Sequence, residues 1–571
     1  MNFLHRFTHL ALALFAGATS LAAAATLHGA TSSIAAQAAD LRGARDLGPL
    51  PATQPVRLSV NLRLREGSDL DSLIAAQSNP RSPVYRHFLS AAQVRDAFGA
   101  TAGDYERTVD ALQRAGFSIV GNDPMRTLID VRAPAAVVER YFSTTLHSIT
   151  VDGRHTAYAN VTSAVTPAAL RATVNAVAGF QSRPLFTTDS AAAYASHSGN
   201  HKTGPGTPAA RPLVGPTATP EYGPDGGFGP QLVNSAFDMP VRHGYFGNGV
   251  TVADIIDGTF DDTKDIAPYL AEFNIKRTGT PTTFIPVAGG CVTQSFGCFD
   301  NFQAAIDAEG VIGVSPGVAY DVYEIPSPLF TSNIIDGFKA VVNDNRVDVV
   351  NFSVAVCEAQ LGEGAFIIDQ SMRLGSAEGI SFVDVAFGGS NPCGTNGPSV
   401  QAPSDSPNGL TVAGADSFAD QYGNVTRPPL ADAGSGGGVS KLFSLPGYQR
   451  GVRGVIPSGR NLPDLDGPDA INGVGPSLYY SAFGGFVGGL PFVDNAFLTG
   501  GIAGLAQIHG SRLGLVNTLL YPAAVRNHTL FRDITMGCND IGGGGPYCAK
   551  PGFDQVSGFG VPKLYPIAKA I

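Results

Sequence analysis

A chain of 571 residues is far larger than one small hydrophobic core can organise, which predicts a large catalytic-type domain and at least one accessory domain. Charged residues make up only 15% and the formal net charge is -10, a balance that argues against nucleic acid or an anionic membrane surface as partner and is compatible with acid surroundings. A hydrophobic content of 44% with 70 glycines and no tryptophan describes a globular, loop-rich protein.

The chain begins MNFLHRF, continues with an apolar run around Leu10 to Phe15 and reaches LAAAA by Ala25. This is the basic, apolar and small-residue order of a secretory signal over residues 1–25, and it predicts a secreted protein, extracellular or periplasmic. An uncleaved anchor is the alternative, but the run falls short of the ~20 residues a span needs. No later stretch is long and apolar enough to span. Six cysteines suit an oxidising compartment, with Cys291 and Cys298, Cys357 and Cys393, and Cys538 and Cys548 as the local choice among the many pairings possible. None is spaced C-x2-C, so zinc is not expected.

VRLSVNLRL, Val56 to Leu64, alternates strictly and predicts a half-buried strand. Ser90 to Gln93 is a capping box, and Tyr105, Val109 and Leu112 share one helical face before a turn at Gly116. Strands at Phe117 to Val120 and Thr127 to Val131, a helix at Ala135 to Phe142 and a strand from Leu146 complete a β, α, β, β, α, β order, an α+β (ferredoxin-like) module. From Thr187 to Gly227 the composition turns to Ser, Thr, Ala, Gly, Pro and His without periodicity, which predicts an exposed, cleavable connector. After Asn248, near-continuous apolar strands (Val250 to Ile256, Val318 to Tyr323, Val347 to Ser353, Ile380 to Ala386) alternate with helices. That pattern predicts an α/β domain whose parallel sheet carries helices on both faces and ligands at the carboxyl ends of its strands.

Phe492 to Gly510 reads as an irregular entry into a helix whose small residues (Ala496, Gly500, Gly501, Ala503, Gly504) allow close packing, the place where an α/β hydrolytic enzyme holds its nucleophile. Asp494-Asn495 stands there, and no serine lies between Ala482 and Gly510. Asp257 ends a strand as a triad acid could, yet no histidine lies between His243 and His509, so a Ser-His-Asp triad is not expected.

Gln303 and Asp307 share a helix face within NFQAAIDAEG. That helix, the SPG turn at Ser315, DVVNFS (Asp348 to Ser353), SGGGVSKLFSLPGYQ (Ser435 to Gln449), RNLPDL (Arg460 to Leu465) and FRDIT with PGFDQVSGFGVP together resemble the sedolisin, or serine-carboxyl, peptidases. NPRSPVYRHFLSAAQV (Asn79 to Val94) resembles the pro-kumamolisin activation propeptide. The resemblance implies a subtilisin-like fold with a propeptide domain at 50–182, a linker at 183–230 and a peptidase domain at 231–571. It also implies a Glu and Asp base system on one helix, an oxyanion aspartate, a serine nucleophile, self-cleavage in acid and one Ca²⁺ in a C-terminal loop.

Carried over position by position, the acid of the helix pair is Asp307, but the base is Gln303, whose amide accepts no proton at useful pH. The oxyanion aspartate becomes Gly389 in AFGGSN, and the serine becomes Asn495. Ser481 or Thr499 would replace it only through a displaced turn. Asp533, Ile534, Lys550, Gly552 and Asp554 match the calcium loop, two carboxylates plus main-chain carbonyls; two turn-capping aspartates are the plainer alternative. The resulting expectation is an exported proprotein that keeps the scaffold and calcium, has lost most peptidase activity, and meets a peptide or protein ligand and its own propeptide. A working acid endopeptidase with an atypical site is one alternative, and a structural, inhibitory or peptide-binding role is another.

Overall fold

The computed structural model describes residues 34–151, 153, 155–185, 221–291, 301–394, 397–420, 424–488, 493–540 and 546–571. The proposed signal, most of the connector, Cys298 and Phe492 lie outside them.

The N-terminal module contains strands Arg45–Pro49 (β1), Pro55–Leu62 (β2), Ser118–Asn122 (β3), Leu128–Pro134 (β4), Leu146–Thr150 (β5), Ala157–Asn160 (β6) and Val174–Ala178 (β7). Its helices are Gly67–Gln77 (α1), Ala91–Phe98 (α2), Ala102–Ala115 (α3) and Ala135–Phe142 (α4). The alternation in β2 places Val56, Leu58, Val60 and Leu62 wholly in a core with Leu112, Phe117, Val138 and Phe142. Ser90 and Gln93 form the reciprocal capping box at the start of α2. Four strands make one antiparallel sheet in the order β3-β4-β2-β7.

The ferredoxin-like order is therefore present, but its last strand is β7 and not the one expected from Leu146. β5 instead pairs with β1 and β6 in a separate three-stranded sheet. LHSIT has the stronger local pattern; VNAVA is of equal length but small-sided, and it is selected by the open edge of β2, a long-range fact.

The second module is built on strands Thr251–Ile256 (β8), Thr283–Pro286 (β9), Ala319–Glu324 (β10), Val349–Phe352 (β11), Ser381–Val385 (β12), Leu410–Ser417 (β13), Leu430–Ala431 (β14) and Leu465–Ile471 (β15). They form one sheet in the order β9-β10-β8-β11-β12-β13, with β13 also pairing β14 and β15. Every pairing is parallel except that of β13 with β14. Helices Asn301–Val314 (α5), Thr331–Asp344 (α6), Glu363–Ala377 (α7), Asp494–His509 (α8) and Asn517–Arg526 (α9) pack around it. Disulfides join Cys357 to Cys393 and Cys538 to Cys548, two of the three expected pairs. Among the described residues no helix is long and apolar enough to cross a membrane.

The N-terminal module rests on α6 and α7. Arg57 reaches Asp336 at 2.7 Å and Lys339 reaches Asp130 at 2.9 Å. Gln77 Nε2 donates to the Ala377 carbonyl at 3.0 Å, and Gln370 Nε2 donates to the Leu62 carbonyl at 3.2 Å. Leu70, Ile74, Val94 and Phe98 enter the same apolar cluster as the sheet of the second module.

Candidate active site

Two helices cross tightly over the carboxyl ends of the central strands. A Cβ on Gly310 of α5 would stand 2.9 Å from the Cβ of Ala496, and one on Gly500 of α8 would stand 2.5 Å from Val314. Only glycine at these positions lets α5 and α8 approach so closely, and the approach sets Asp307 opposite Asn495. Beneath them β8 and β11 run in parallel register, with Asp254 beside Asn351.

A continuous hydrogen-bonded chain results. Gln303 Nε2 donates to Asp307 Oδ1 at 3.0 Å, and the Ser353 hydroxyl lies 2.8 Å from the same oxygen. Asn495 Nδ2 donates to Ser353 Oγ at 3.0 Å and to Asn351 Oδ1 at 2.9 Å. Thr499 Oγ1 donates to Asn351 Oδ1 at 3.1 Å, and Asn351 Nδ2 donates to Asp254 Oδ1 at 3.2 Å. A hydroxyl has one proton, so Ser353 gives its proton to Asp307 and accepts from the two asparagine amides. Asp254, Asp307, Asn351, Asn495 and Thr499 are fully buried and Ser353 nearly so. Burial pushes the Asp254 carboxyl up to about 7, against the lowering effect of the Asn351 amide.

Of the four positions named from sequence, Gln303, Asp307 and Asn495 are thus brought into one chain, with Ser353 as the link. Gly389 is not in that chain: it follows β12 at φ 69° and donates its N–H to the Gly434 carbonyl at 3.1 Å. The sequence pattern names Ser353 as the end of DVVNFS but assigns it no chemical role. Its signal is its place, directly after a central parallel strand, where α/β folds set functional groups. Asp257 is buried and accepts from Ser327 Oγ at 2.6 Å; burial pushes its carboxyl up to about 6.

The C-terminal loop gathers the other named positions. Gly552 N–H donates to Asp533 Oδ2 at 2.9 Å and Lys550 N–H donates to Asp554 Oδ2 at 2.7 Å, so both carboxylates clasp the 550–554 turn. Asp554 Oδ1 also accepts from Val556 and Ser557 N–H at 3.0 and 2.9 Å. Burial nevertheless pushes the Asp554 carboxyl up. Asp554 Oδ1 accepts a third bond from the Ser557 hydroxyl at 3.0 Å, as a turn-capping aspartate does, while the two carboxylates and the main-chain carbonyls of Ile534 and the turn are hard oxygen donors of the kind Ca²⁺ takes.

The activation domain of pro-kumamolisin matches residues 42–183. The chain is 26% identical over 549 residues to sedolisin of Pseudomonas sp. strain 101, covering 91% of this chain and 88% of that one. It is 25% identical over 541 residues to kumamolisin of Bacillus sp. strain MN-32, covering 90% and 92%. Xanthomonalisin of Xanthomonas sp. strain T-22 is 24% identical, covering 90% of this chain and 65% of that one. The solved Pseudomonas sedolisin, a serine-carboxyl proteinase complexed with two molecules of pseudo-iodotyrostatin, superposes with a TM-score of 0.52 at 22% identity over 60% of this chain and 97% of that one.

Fold and matches together define a subtilisin-like α/β scaffold carrying an N-terminal activation domain. Over about nine-tenths of its length the chain is similar to the peptidases sedolisin and kumamolisin, and its N-terminal module matches the activation domain of the latter's proform.

Proposed function

We propose that this protein is an exported sedolisin-family proprotein that no longer hydrolyses peptide bonds and keeps its scaffold for a peptide or protein partner, its own propeptide included. The observation that carries this reading is the direction of the hydrogen bonds around Asp307. A base at position 303 has to accept a proton passed from a nucleophile. Gln303 instead donates to Asp307, and Asn495 presents an amide that is a poor nucleophile and is already committed to Asn351 and Ser353. Gly389 offers no side-chain donor to an oxyanion. The members of such a site act as one unit, so their joint replacement removes about a thousandfold or more in rate. Export is supported by the leader pattern and by the two disulfides.

At pH between about 3 and 5, where a carboxylate base operates, the full-length protein is expected to leave its 187–227 connector intact. The triple variant Gln303→Glu/Gly389→Asp/Asn495→Ser is expected to cut there. Cleavage of the unmodified chain at a rate independent of dilution, and its loss in Asp307→Ala, would sink the inactive reading. One observation favours a second reading: Ser353 gives its proton to Asp307 at 2.8 Å, a serine-carboxylate pair without histidine. An acid peptidase activity abolished by Ser353→Ala and kept by Asn495→Ala would establish it.

The clasped 550–554 turn supports Ca²⁺ held by Asp533 and Asp554 with the carbonyls of Ile534, Lys550 and Gly552; the ion would fix the loop and take no part in a chemical step. Ca²⁺ is expected to raise the melting temperature, and Asp554→Asn to lower that gain, since an ion that binds only the folded state stabilises it. An equal calcium-dependent rise in the variant would remove this assignment.

A further inference from the structure

We propose a second divalent-cation site, of calcium type, made by Asp416, Asp432 and Asp469 and closed by Asp494 at the start of α8. It lies outside the 533–554 loop and does not depend on the loss of peptidase chemistry.

The site is assembled from four separate stretches of chain. β13 and β15 run side by side with Gly414 opposite Gly467, and the register shifts between Ala415 and Asp416. One carboxylate oxygen each of Asp416, Asp432 and Asp469 lies within 4.8 Å of the others. Oxygens on opposite sides of Ca²⁺ stand roughly 4.6–5.2 Å apart and adjacent ones closer, so this spread fits one ion. The donors are all hard oxygens, with no imidazole or thiolate, which favours calcium or magnesium over zinc.

Three acidic side chains alone are common without an ion. The independent observation is Asp494. It is 5% exposed, and its Oδ1 has no hydrogen-bond partner. Its other oxygen lies 2.9 Å from the point where a Cβ on Gly414 would stand, and Asp469 Cγ lies 3.2 Å from the same point. The side chains of Asp469 and Asp494 therefore meet over Gly414, where a Cβ would stand only 2.7 Å from Asp469 Cβ, and Asp416 lies two residues along β13. A buried carboxylate oxygen left without a donor is costly, and a cation held among these carboxylates would satisfy it.

The charge balance points the same way. The charged groups acting most strongly on Asp469 are all aspartates: Asp432, Asp494, Asp416 and Asp466. Among the described residues no lysine, arginine or histidine pairs with Asp432, Asp469 or Asp494. The N-terminus of α8 contributes only about half an elementary charge, too little to offset the Asp432, Asp469 and Asp494 carboxylates. Asp494 directly precedes Asn495, so an ion here would fix the helix entry from which the Asn495, Ser353 and Asp307 chain hangs.

The test uses the full-length protein, stripped with chelator and titrated with Ca²⁺ by calorimetry and equilibrium dialysis at about pH 7.5, where carboxylate ligands are free of competing protons. The Asp416→Asn/Asp469→Asn variant is expected to bind one ion fewer per chain, or to bind it at least about tenfold more weakly, about 1.4 kcal/mol. Asp554→Asn is expected to keep that ion. In chelator the double variant is expected to melt at or above the unmodified protein, because removing like charges relieves repulsion, so lost binding is not lost folding. Asp469→Asn alone serves if the double variant does not fold, with the same weakened binding expected. Equal stoichiometry and affinity in the unmodified and variant proteins would overturn the site. So would an unmodified protein that binds nothing beyond the ion lost in Asp554→Asn, since the aspartates then share protons.

Discussion

Arg460 is a cation in a chain with few of them, and it is spent entirely inside. It is fully buried, its Nη2 lies 2.6 Å from Asp464 Oδ2, and its Nη1 lies 2.9 Å from Oδ1. Asp464 also accepts from Thr411 N–H at 2.8 Å, Asn517 Nδ2 at 2.9 Å and the Tyr521 hydroxyl at 2.5 Å. This single pair ties RNLPDL to β13 and α9, which explains a motif that supplies nothing to the candidate active site. Removing the guanidinium leaves a buried carboxylate with neutral donors only, so Arg460→Met is expected to cost about 3–5 kcal/mol. Arg460→Lys keeps the charge but loses the two-pronged geometry, and should fall between the two. A melting temperature for Arg460→Met within about 2 °C of the unmodified protein would contradict this account. The polar residues of the candidate active site follow the same rule from the other side. Gln303 and Asn495 are polar residues whose amides fill hydrogen bonds, so the buried network is satisfied from side chains alone.

At the scale of elements, helices α6 and α7 hold the N-terminal module by charge as well as by packing. Burial pushes Asp130 up, but Lys339 and Arg57 more than reverse it, and its carboxyl is held below the usual range. A folded-state value below the unfolded one means that the stabilisation is present above the unfolded value of about 3.9 and is lost as the pH falls through the folded one. Asp336, pushed up by burial and by Asp130, acts in the opposite sense, so the contact holds best in mild acid. Limited proteolysis against pH is expected to find the module docked at about pH 5 and loosened only below about pH 4, with Lys339→Ala moving that loosening up by about one pH unit or more. Release of the unmodified module near neutral pH would remove Lys339 and Asp130 from the explanation. None of this interface is readable in the sequence, since Asp130 and Lys339 lie in different modules. Strands β8, β10, β11 and β12 were readable, because a parallel strand covered on both faces is a short apolar run between helices. β7 was not, because its partner and not its composition makes it a strand, and α1 carries its only local signal in Leu70, Ile74 and Gln77 on its buried face. The positions of Gln303, Asp307 and Asn495 came from motif order. Ser353 and the four aspartates around Gly414 become neighbours only through packing.

For the molecule as a whole, the excess of 47 acidic over 37 basic residues matters less than where the acids lie. Burial is the leading cause that pushes Asp257 up to about 6, Asp254 and Glu363 up to about 7, Asp384 up to about 8 and Glu378 up to about 9. A carboxyl raised on folding contributes stability that is full below its unfolded value, about 4, and is lost as the pH rises through the folded value. The window set by these five groups therefore runs from about pH 4 to about pH 9, with stability falling across it. His509 opposes them: burial and Arg86 lower it to about 4, so it favours neutral solution and weakens the fold as pH drops from about 6.5. One such group does not outweigh five, and the melting temperature is expected to be about 5 °C or more higher near pH 5 than near pH 8. Asp384 gives the sharper test, because both its carboxylate oxygens are buried without hydrogen-bond partners. Asparagine mimics its protonated form, so Asp384→Asn should melt with the unmodified protein near pH 4 and above it near pH 8, where the unmodified protein must still take up a proton to fold. A variant that gains equally at both pH values, or an unmodified protein whose melting temperature rises toward alkaline pH, would show that these buried acids do not set its acid preference.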